Sequence, residues 1–486
     1  MYKILLHGIT NKYELQELIK VFLSPDMFVS YTDAEAEAAA DLEAKYENGN
    51  LAAGGTQPAE IAAPAAQPIL LEINQVLSAD KNEIKREIYR KLAAVTGYEP
   101  EWGILTGVRP VKLAGELLDR LQNMETVRRT LREDYLLAES KIDLLTDTLA
   151  YQREVCGKAD PDSVGVYIGI PFCPTRCLYC SFTSNQVPDA EIARYLEALK
   201  QEIAYVGRRM QETGLWAESI YIGGGTPTTA EQLDALLGTV EAAIDLSKLK
   251  EFTVEAGRPE TITYEKLEVL QQHHIARISI NPQSMHAKTL DLIGREHRPD
   301  DIVKAFQRAD WVGIPIVNAD VITGLPEESP ADFAETMEAL LALDPENITV
   351  HTLAVKRASR LVEVDKDFHY KQGETVKKML AVAQQKLKTA GFRPYYLYRQ
   401  KHMAGAFENT GYCKGDTPCI YNIRIMEEKQ TILALGAGGI SKIYYPDENR
   451  LERVPNVSNY EIYISRLEEM LDRKEQNIFK EVEKRC

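Results

Sequence analysis

From residue 165 onward, six apolar runs, "GVYIGIPF", "SIYIGGGTP", "EFTVEAG", "RISINPQS", "PIVNADVITGLP" and "ITVHTLAV", alternate with stretches of helical periodicity. Short, nearly continuous apolar strands joined by segments long enough for a helical crossover require a parallel sheet covered on its outer face. Right-handed crossovers curl such a sheet one way, so the alternation predicts an α/β fold built on a partial (β/α)6 barrel over residues 160–356. The polar and glycine-rich sequences all fall where a strand ends: a cysteine loop after the first, "GGGTPT" after the second, "EAGRP" after the third, "NPQS" after the fourth and "GLP" after the fifth. Parallel α/β folds bind ligands at those carboxyl ends, which points to one site assembled from several loops.

The flanks read differently. Residues 2–8 and 27–32 read as strands around an amphipathic helix at 12–23, the start of a small N-terminal α/β domain over 1–155. Residues 34–68 are rich in Ala, Gly and Pro with few large apolar side chains, and read as an insertion. "ILLEINQV" and "KNEIKREIYRKLAAVTG" then suggest another strand and helix. Beyond 356 the chain reads as a C-terminal α/β extension over 357–486 that covers the substrate. It contains a helix, a strand at "RPYYLYRQ", two short strands around the glycine turn of "ILALGAGGISKIYY", and a charged helical tail from 457.

With 57 Lys and Arg against 73 Asp and Glu, the net charge is −16, which disfavours diffuse binding to nucleic acid or anionic lipid. No secretory leader or apolar run of membrane-spanning length is apparent, so a cytoplasmic protein is expected. In that compartment seven cysteines do not suggest a disulfide scaffold. Three of them, Cys173, Cys177 and Cys180, form C-x3-C-x2-C on the first loop of the alternation, between Pro171 and Phe182. Structural zinc commonly takes four ligands from paired half-sites, whereas three thiolates suit an iron–sulfur core with one iron left open. Cys156, Cys413, Cys419 and Cys486 are more dispersed, and a second metal site at Cys413 and Cys419 would lack further partners.

The cysteine spacing followed by an aromatic residue, after the first strand of a six-unit barrel, resembles the radical S-adenosylmethionine (SAM) enzymes. "YIGIPFCPTRCLYCSF", "IGGGTPTTA", "TVEAGRPE", "RISINPQSM", "IGREHRP" and "NADVITGLPEE", in this order, resemble the oxygen-independent coproporphyrinogen III oxidase group. "WGILTGVRPVKL" before the barrel and "ENTGYCKGDTPCIYNIRIMEEKQTILALGAGG" after it are similar to its coproporphyrinogen dehydrogenase HemZ branch. The resemblance implies a 4Fe-4S cluster on the three cysteines, with SAM on its open iron. It sets Gly224, Gly225 and Thr226 against the methionine amino group, Glu255 against the ribose hydroxyls, and Gln283, Arg295 and Asp320 against SAM's other polar groups. Tyr167 is implied as a catalytic contact to the SAM carboxylate or the substrate, and Phe182 as packing beside cluster or adenine.

The implied substrate is coproporphyrinogen III, two of whose propionates become vinyl groups; a one-electron donor protein is the implied partner. Guanidinium groups grip carboxylates bidentately, so Arg357 and Arg360 of "VKRASR" are expected to hold substrate propionates. Lys356, Arg399 and Lys401 add local positive charge, while His273, His274 and His402 receive no role. The established oxidases resemble Y-x-H-x-P-F-C with a further cysteine after the third; here Gly169 and Phe182 occupy those positions. Two other functions share the cysteine pattern: a haem chaperone, and a radical SAM methyltransferase that opens haem to a linear tetrapyrrole.

Overall fold

The computed structural model describes residues 2–9, 12–36, 69–74, 81–182, 184–356, 359–365, 368–401 and 403–484. Two compact units emerge, one of Met1–Gly107 with Leu117–Leu144, the other of Val108–Glu116 with Leu145–Cys486. From residue 37, the Ala-rich stretch lies outside the described residues.

In the first unit, strands β1 (Tyr2–His7), β2 (Phe28–Thr32) and β3 (Ile69–Asn74) form a parallel sheet in the order β2-β1-β3. A parallel pair needs a crossover, and between β1 and β2 it is the helix Tyr13–Phe22. Its Leu15, Leu18 and Ile19 recur at helical spacing and are buried. Ile84, Ile88 and Leu92 of the helix Lys81–Thr96 pack into the same core with Ile4, Leu6 and Phe28.

The second unit contains the expected alternation as β4 (Ser163–Ile170), β5 (Trp216–Gly224), β6 (Glu251–Gly257), β7 (Arg277–Ile280), β8 (Ile316–Thr323) and β9 (Asn347–Thr352), each paired in parallel with the next. Nearly every residue of these strands is buried, because helices such as Asp189–Glu212 cover one face and the other faces the barrel interior. Five further strands extend the sheet: β10 (Arg393–Tyr398), β11 (Asn409–Cys413), β12 (Thr431–Leu435), β13 (Ile440–Tyr445) and β14 (Arg450–Pro455). The order is β10-β11-β9-β8-β7-β6-β5-β4-β12-β13-β14, an open series. Residues 357–486 thus add strands at both ends of the barrel sheet, and β12 runs parallel to β4.

The charged tail is helical with one break, at Arg466: Tyr460–Ser465 is followed by Leu467–Lys474, which runs through a π-helical turn at Glu475–Phe479 into Lys480–Glu483. Its inward charge is matched, Lys474 Nζ lying 2.8 Å from Glu202 Oε1 with both side chains buried. Glu202 Oε2 also accepts from the Gly436 N–H at 2.7 Å and the Tyr463 hydroxyl at 2.6 Å, so one buried carboxylate ties the tail, the turn after β12 and the first barrel helix together. Among the described residues, no helix is long and apolar enough to cross a membrane.

Candidate active site

At the carboxyl ends of β4–β9 lies a cavity of about 450 Å³, within the size range of small-molecule sites. Its first wall is the cysteine loop. Pairing with Asn185 pins the loop as it leaves β4: the Cys173 N–H donates to the Asn185 carbonyl at 3.1 Å, and the Asn185 N–H to the Pro171 carbonyl at 2.9 Å. Further along, the Leu178 N–H donates to the Ile293 carbonyl, and the Leu178 carbonyl accepts from the Leu361 N–H and the Ser359 hydroxyl. A loop of small size and three thiols is thereby held from three sides.

"GGGTPT" runs directly beneath it. The Gly225 N–H donates to the Ile170 carbonyl at 2.8 Å and the Thr226 N–H to the Phe172 carbonyl at 2.7 Å. A β-carbon on Gly225 would stand 2.3 Å from the Phe172 carbonyl oxygen, so the glycine is what lets the two backbones meet. Gly224 has φ of 107°, in the region that favours glycine. Thr226 Oγ1 reaches the Cys173 sulfur at 3.5 Å.

Two buried arginines face Cys177. Arg258 Nη2 lies 3.3 Å from its sulfur and donates to the Thr175 carbonyl and hydroxyl, each at 2.9 Å. Arg295 donates to the Asn281 carbonyl at 2.6 Å and the Tyr179 hydroxyl at 3.3 Å. Burial pushes the Cys177 thiol up, but Arg295, Arg258 and the Tyr179 hydroxyl outweigh it and hold the thiol below its ordinary value. Cys173 and Cys180, less well provided with cations, are pushed up by burial.

The remaining predicted positions share the cavity. Tyr167, Cys173, Cys177, Cys180, Phe182, Gly224, Gly225, Thr226, Glu255, Gln283, Arg295 and Asp320 all line it. Glu255 accepts from the Tyr221 hydroxyl at 2.6 Å and the Gly224 N–H at 3.1 Å, and burial pushes its carboxyl up. For Asp320 burial acts the same way, yet His351 and the Asn318 amide hold its carboxyl below the ordinary value. Gln283 adopts φ of 66° and pairs with β8 through Asp320 and Ile322. Tyr167 stacks near Tyr221 and Tyr421, whose own rings lie 4.6 Å apart. Phe182, 64 % exposed, covers the rim, and Lys356 Nζ sits 5.8 Å from its ring.

The substrate-side expectations fare differently. Arg357 lies outside the described residues, as does His402. Arg360 is exposed, precedes the short helix Leu361–Val364 and does not line the cavity, whereas Lys356 does. Arg399 is buried with its guanidinium on the Ala406 carbonyl, so it braces a turn. Cys413 and Cys419 lie away from the cysteine loop: Cys419 donates to Glu251 at the start of β6, and Cys413 to the Tyr151 hydroxyl. Sequence reading missed Arg258, although "EAGRP" contains it. It also missed Tyr396, Tyr398, Asn409, Tyr421 and Asn422, which reach the cavity from β10, β11 and the helix Ile420–Glu427. Nothing local in those segments marks them as cavity walls.

A family model for the radical SAM superfamily matches residues 167–340. The oxygen-independent coproporphyrinogen-III oxidase-like protein HemZ of Bacillus subtilis is 39% identical over 403 residues, 81% of this chain and 80% of that protein. The chain belongs to the HemZ/HemN-type group of radical SAM proteins. Haem chaperones HemW also match: that of Bacillus subtilis is 34% identical over 39% of this chain and 50% of its own length, and that of Escherichia coli is 27% identical over 58% and 71%. Among solved structures, HemN, the coproporphyrinogen III oxidase of Escherichia coli, shares the fold with a TM-score of 0.52 and 21% identity, over 66% of this chain and 73% of that one.

The family's cofactors are a 4Fe-4S cluster and SAM, and the residues suit both. Three thiols on one restrained loop, with two guanidiniums beside them, provide thiolate ligands and offset their charge. Among the described residues no three His, Cys, Asp or Glu side chains converge on a single ion; a cube of irons and sulfides spreads its ligands more widely than one ion does. Gln283 Oε1, Asn281 Oδ1 and Arg295 Nε are buried on the cavity wall without a partner in the chain. A polar ligand would satisfy them.

Proposed function

We propose that this protein catalyses the oxygen-independent oxidative decarboxylation of coproporphyrinogen III to protoporphyrinogen IX. The observation that carries the reading is the extent of the HemZ likeness, 81% of the chain, which continues well outside the barrel. When bound, the reduced cluster and SAM supply a carbon-centred 5′-deoxyadenosyl radical able to remove a hydrogen atom from a substrate propionate.

The chain's own residues have four tasks in this reading. Cys173, Cys177 and Cys180 would hold the cluster, and Arg258 and Arg295 favour the thiolate form of Cys177. Gly224, Gly225 and Thr226 bring backbone close to the methionine end of SAM, and Glu255, Gln283, Arg295 and Asp320 orient its polar groups. Tyr167 is the catalytic contact between SAM and substrate. The stacked rings of Tyr167, Tyr221 and Tyr421, with Phe182 at the rim, exclude water from the reacting carbon.

The test is anaerobic: reconstituted protein with dithionite, SAM and coproporphyrinogen III, analysed by liquid chromatography and mass spectrometry. Protoporphyrinogen formed together with 5′-deoxyadenosine is expected. SAM cleavage with unchanged porphyrinogen would sink the decarboxylase reading. The HemW likeness favours a second reading, a haem chaperone; stoichiometric haem binding and transfer without SAM cleavage would select it.

A further inference from the structure

Two blocks outside the barrel, "WGILTGVRPVKL" and the stretch ending in "MEEKQTILALGAGG", contribute residues that cofactor binding does not use. They meet at one carboxylate. Glu428 follows the helix Ile420–Glu427 with φ of 54°, and four cations surround it. Arg109 Nε lies 3.8 Å from Glu428 Oε1, Lys112 Nζ 3.4 Å from Oε2, and Lys442 Nζ and Arg453 Nη2 each 3.5 Å from Oε1. Val108–Glu116 belongs to the barrel unit, so these residues form one cluster within one body.

In a protein of net charge −16, four cations on a single carboxylate leave a local excess of three positive charges. The contacts to Glu428 are long, beyond ideal charge-assisted hydrogen bonds, and Arg109 Nε is buried with no hydrogen-bond partner. Only Arg453 is mostly exposed; the side chains of Arg109, Lys112 and Lys442 retain 22%, 21% and 12% exposure. Burial and mutual repulsion therefore act together: desolvation, with Arg109 beside it, pushes the Lys442 amine down to about 8. Such crowding is relieved by a further anion.

None of the four cations is itself a cavity-lining residue, but the cluster abuts two residues that are. Lys442 Nζ contacts the Ile425 carbonyl at 3.4 Å, and Ile425 lines the cavity. Arg109 stands near enough to the cavity-lining Tyr398 for its charge to favour ionisation of that phenol, which burial otherwise pushes up to about 12. The backbone behind Arg109 is tied to the same edge, the Arg399 N–H donating to the Val108 carbonyl at 3.0 Å.

We infer that Arg109, Lys112, Lys442 and Arg453 form a carboxylate-binding subsite that holds propionate groups of a tetrapyrrole beside the cavity wall at Ile425 and Tyr398. The inference rests on the tetrapyrrole reading above and adds a source of cationic grip to the one expected of Arg357 and Arg360. A tetracarboxylate then has two fixed ends: one propionate at the radical-generating centre, the others at this cluster.

The probe is coproporphyrin III, the oxidised and fluorescent form carrying the same four carboxylates, titrated against the reconstituted full-length protein beside its uncharged tetramethyl ester. Arg109→Gln and Lys442→Gln are each expected to weaken coproporphyrin binding about tenfold, with Arg109→Lys recovering part of the loss. Arg453→Gln, at an exposed position that cannot upset the core, is expected to weaken it about threefold. Ester binding should not change in any variant. Parent-like coproporphyrin affinity in Arg109→Gln and Arg453→Gln, or equal losses for acid and ester, would overturn the subsite. If the protein binds coproporphyrin through these residues yet never decarboxylates the porphyrinogen, the enzymatic reading falls and the subsite stands. Turnover with parent-like binding in every variant removes the subsite alone.

Discussion

Cys173–Cys180 and Cys413–Cys419 are both closely spaced cysteine segments in the same unit, and their surroundings are opposite. At the carboxyl ends of the strands, Cys177 faces the guanidiniums of Arg258 and Arg295, which hold it below its ordinary value. Near the amino ends, Cys419 is buried against the Glu251 carboxylate, and burial first and that charge second push it well up. Cys413 is likewise pushed up to about 11 by burial. Spacing is alike in the two segments; what differs is the charge that the fold brings to Cys177, two guanidiniums, and to Cys419, a carboxylate.

The largest expected effect tests that contrast directly. Cys177→Ala should abolish iron retention and 5′-deoxyadenosine formation, while Cys413→Ala and Cys419→Ala leave the iron-to-protein ratio unchanged, as measured by iron analysis after anaerobic reconstitution. Iron lost from the Cys413 or Cys419 variants would break the comparison. Next, Arg258→Leu should lower iron retention several-fold, and Arg258→Lys should restore only part of it, because an ammonium keeps the charge but ends one atom short of the Nη2 that reaches both Thr175 and the Cys177 sulfur.

On the amino-end side, Arg424 makes a buried pair with Glu218 at 2.9 Å, both side chains 2% exposed. Arg424→Met leaves that carboxylate underpaired and should cost roughly 3–5 kcal/mol in denaturant unfolding. A loss below about 1 kcal/mol would show that Lys250 and Gln430 suffice for Glu218.

The smallest effect concerns a buried acid with no facing arginine. Burial raises the Glu328 carboxyl to about 7, despite the Ser284 hydroxyl donating at 2.5 Å. Between pH 4.5 and about 7 the folded chain holds a proton there that the unfolded chain has lost, so this group's contribution to stability declines as pH rises through that window. Glu328→Gln should flatten that decline in Tm measured against pH. An unchanged slope would mean that the carboxyl ionises freely in the folded protein.

Much of the fold was legible because its causes are local. Six apolar runs separated by helical periodicity leave few arrangements besides a parallel sheet, and β4–β9 follow those runs closely. The positions expected on the cofactor side share one cavity for a related reason: most lie in or shortly after the carboxyl half of a strand, and one sheet brings those ends together. β11 at "NTGYC" and β14 at "RLERVP" were not legible as strands. β11 lacks alternation because all five residues are buried. β14 is mostly polar, pairs with β13 and buries one side chain, Val454, in the core.

What the sequence determined by itself was the parallel α/β core, the cysteine loop and the family, since each depends on residues close together in the chain or on their order. Only the tertiary structure decided which distant residues face one another. It set Arg258 and Arg295 against Cys177, placed the tyrosines of β10 and the helix Ile420–Glu427 on the cavity wall, and gathered Arg109, Lys112, Lys442 and Arg453 at Glu428. The physical reason is that electrostatic interaction depends on spatial distance and burial, and residues 109 and 442 are neighbours only after strands have been added beside β4.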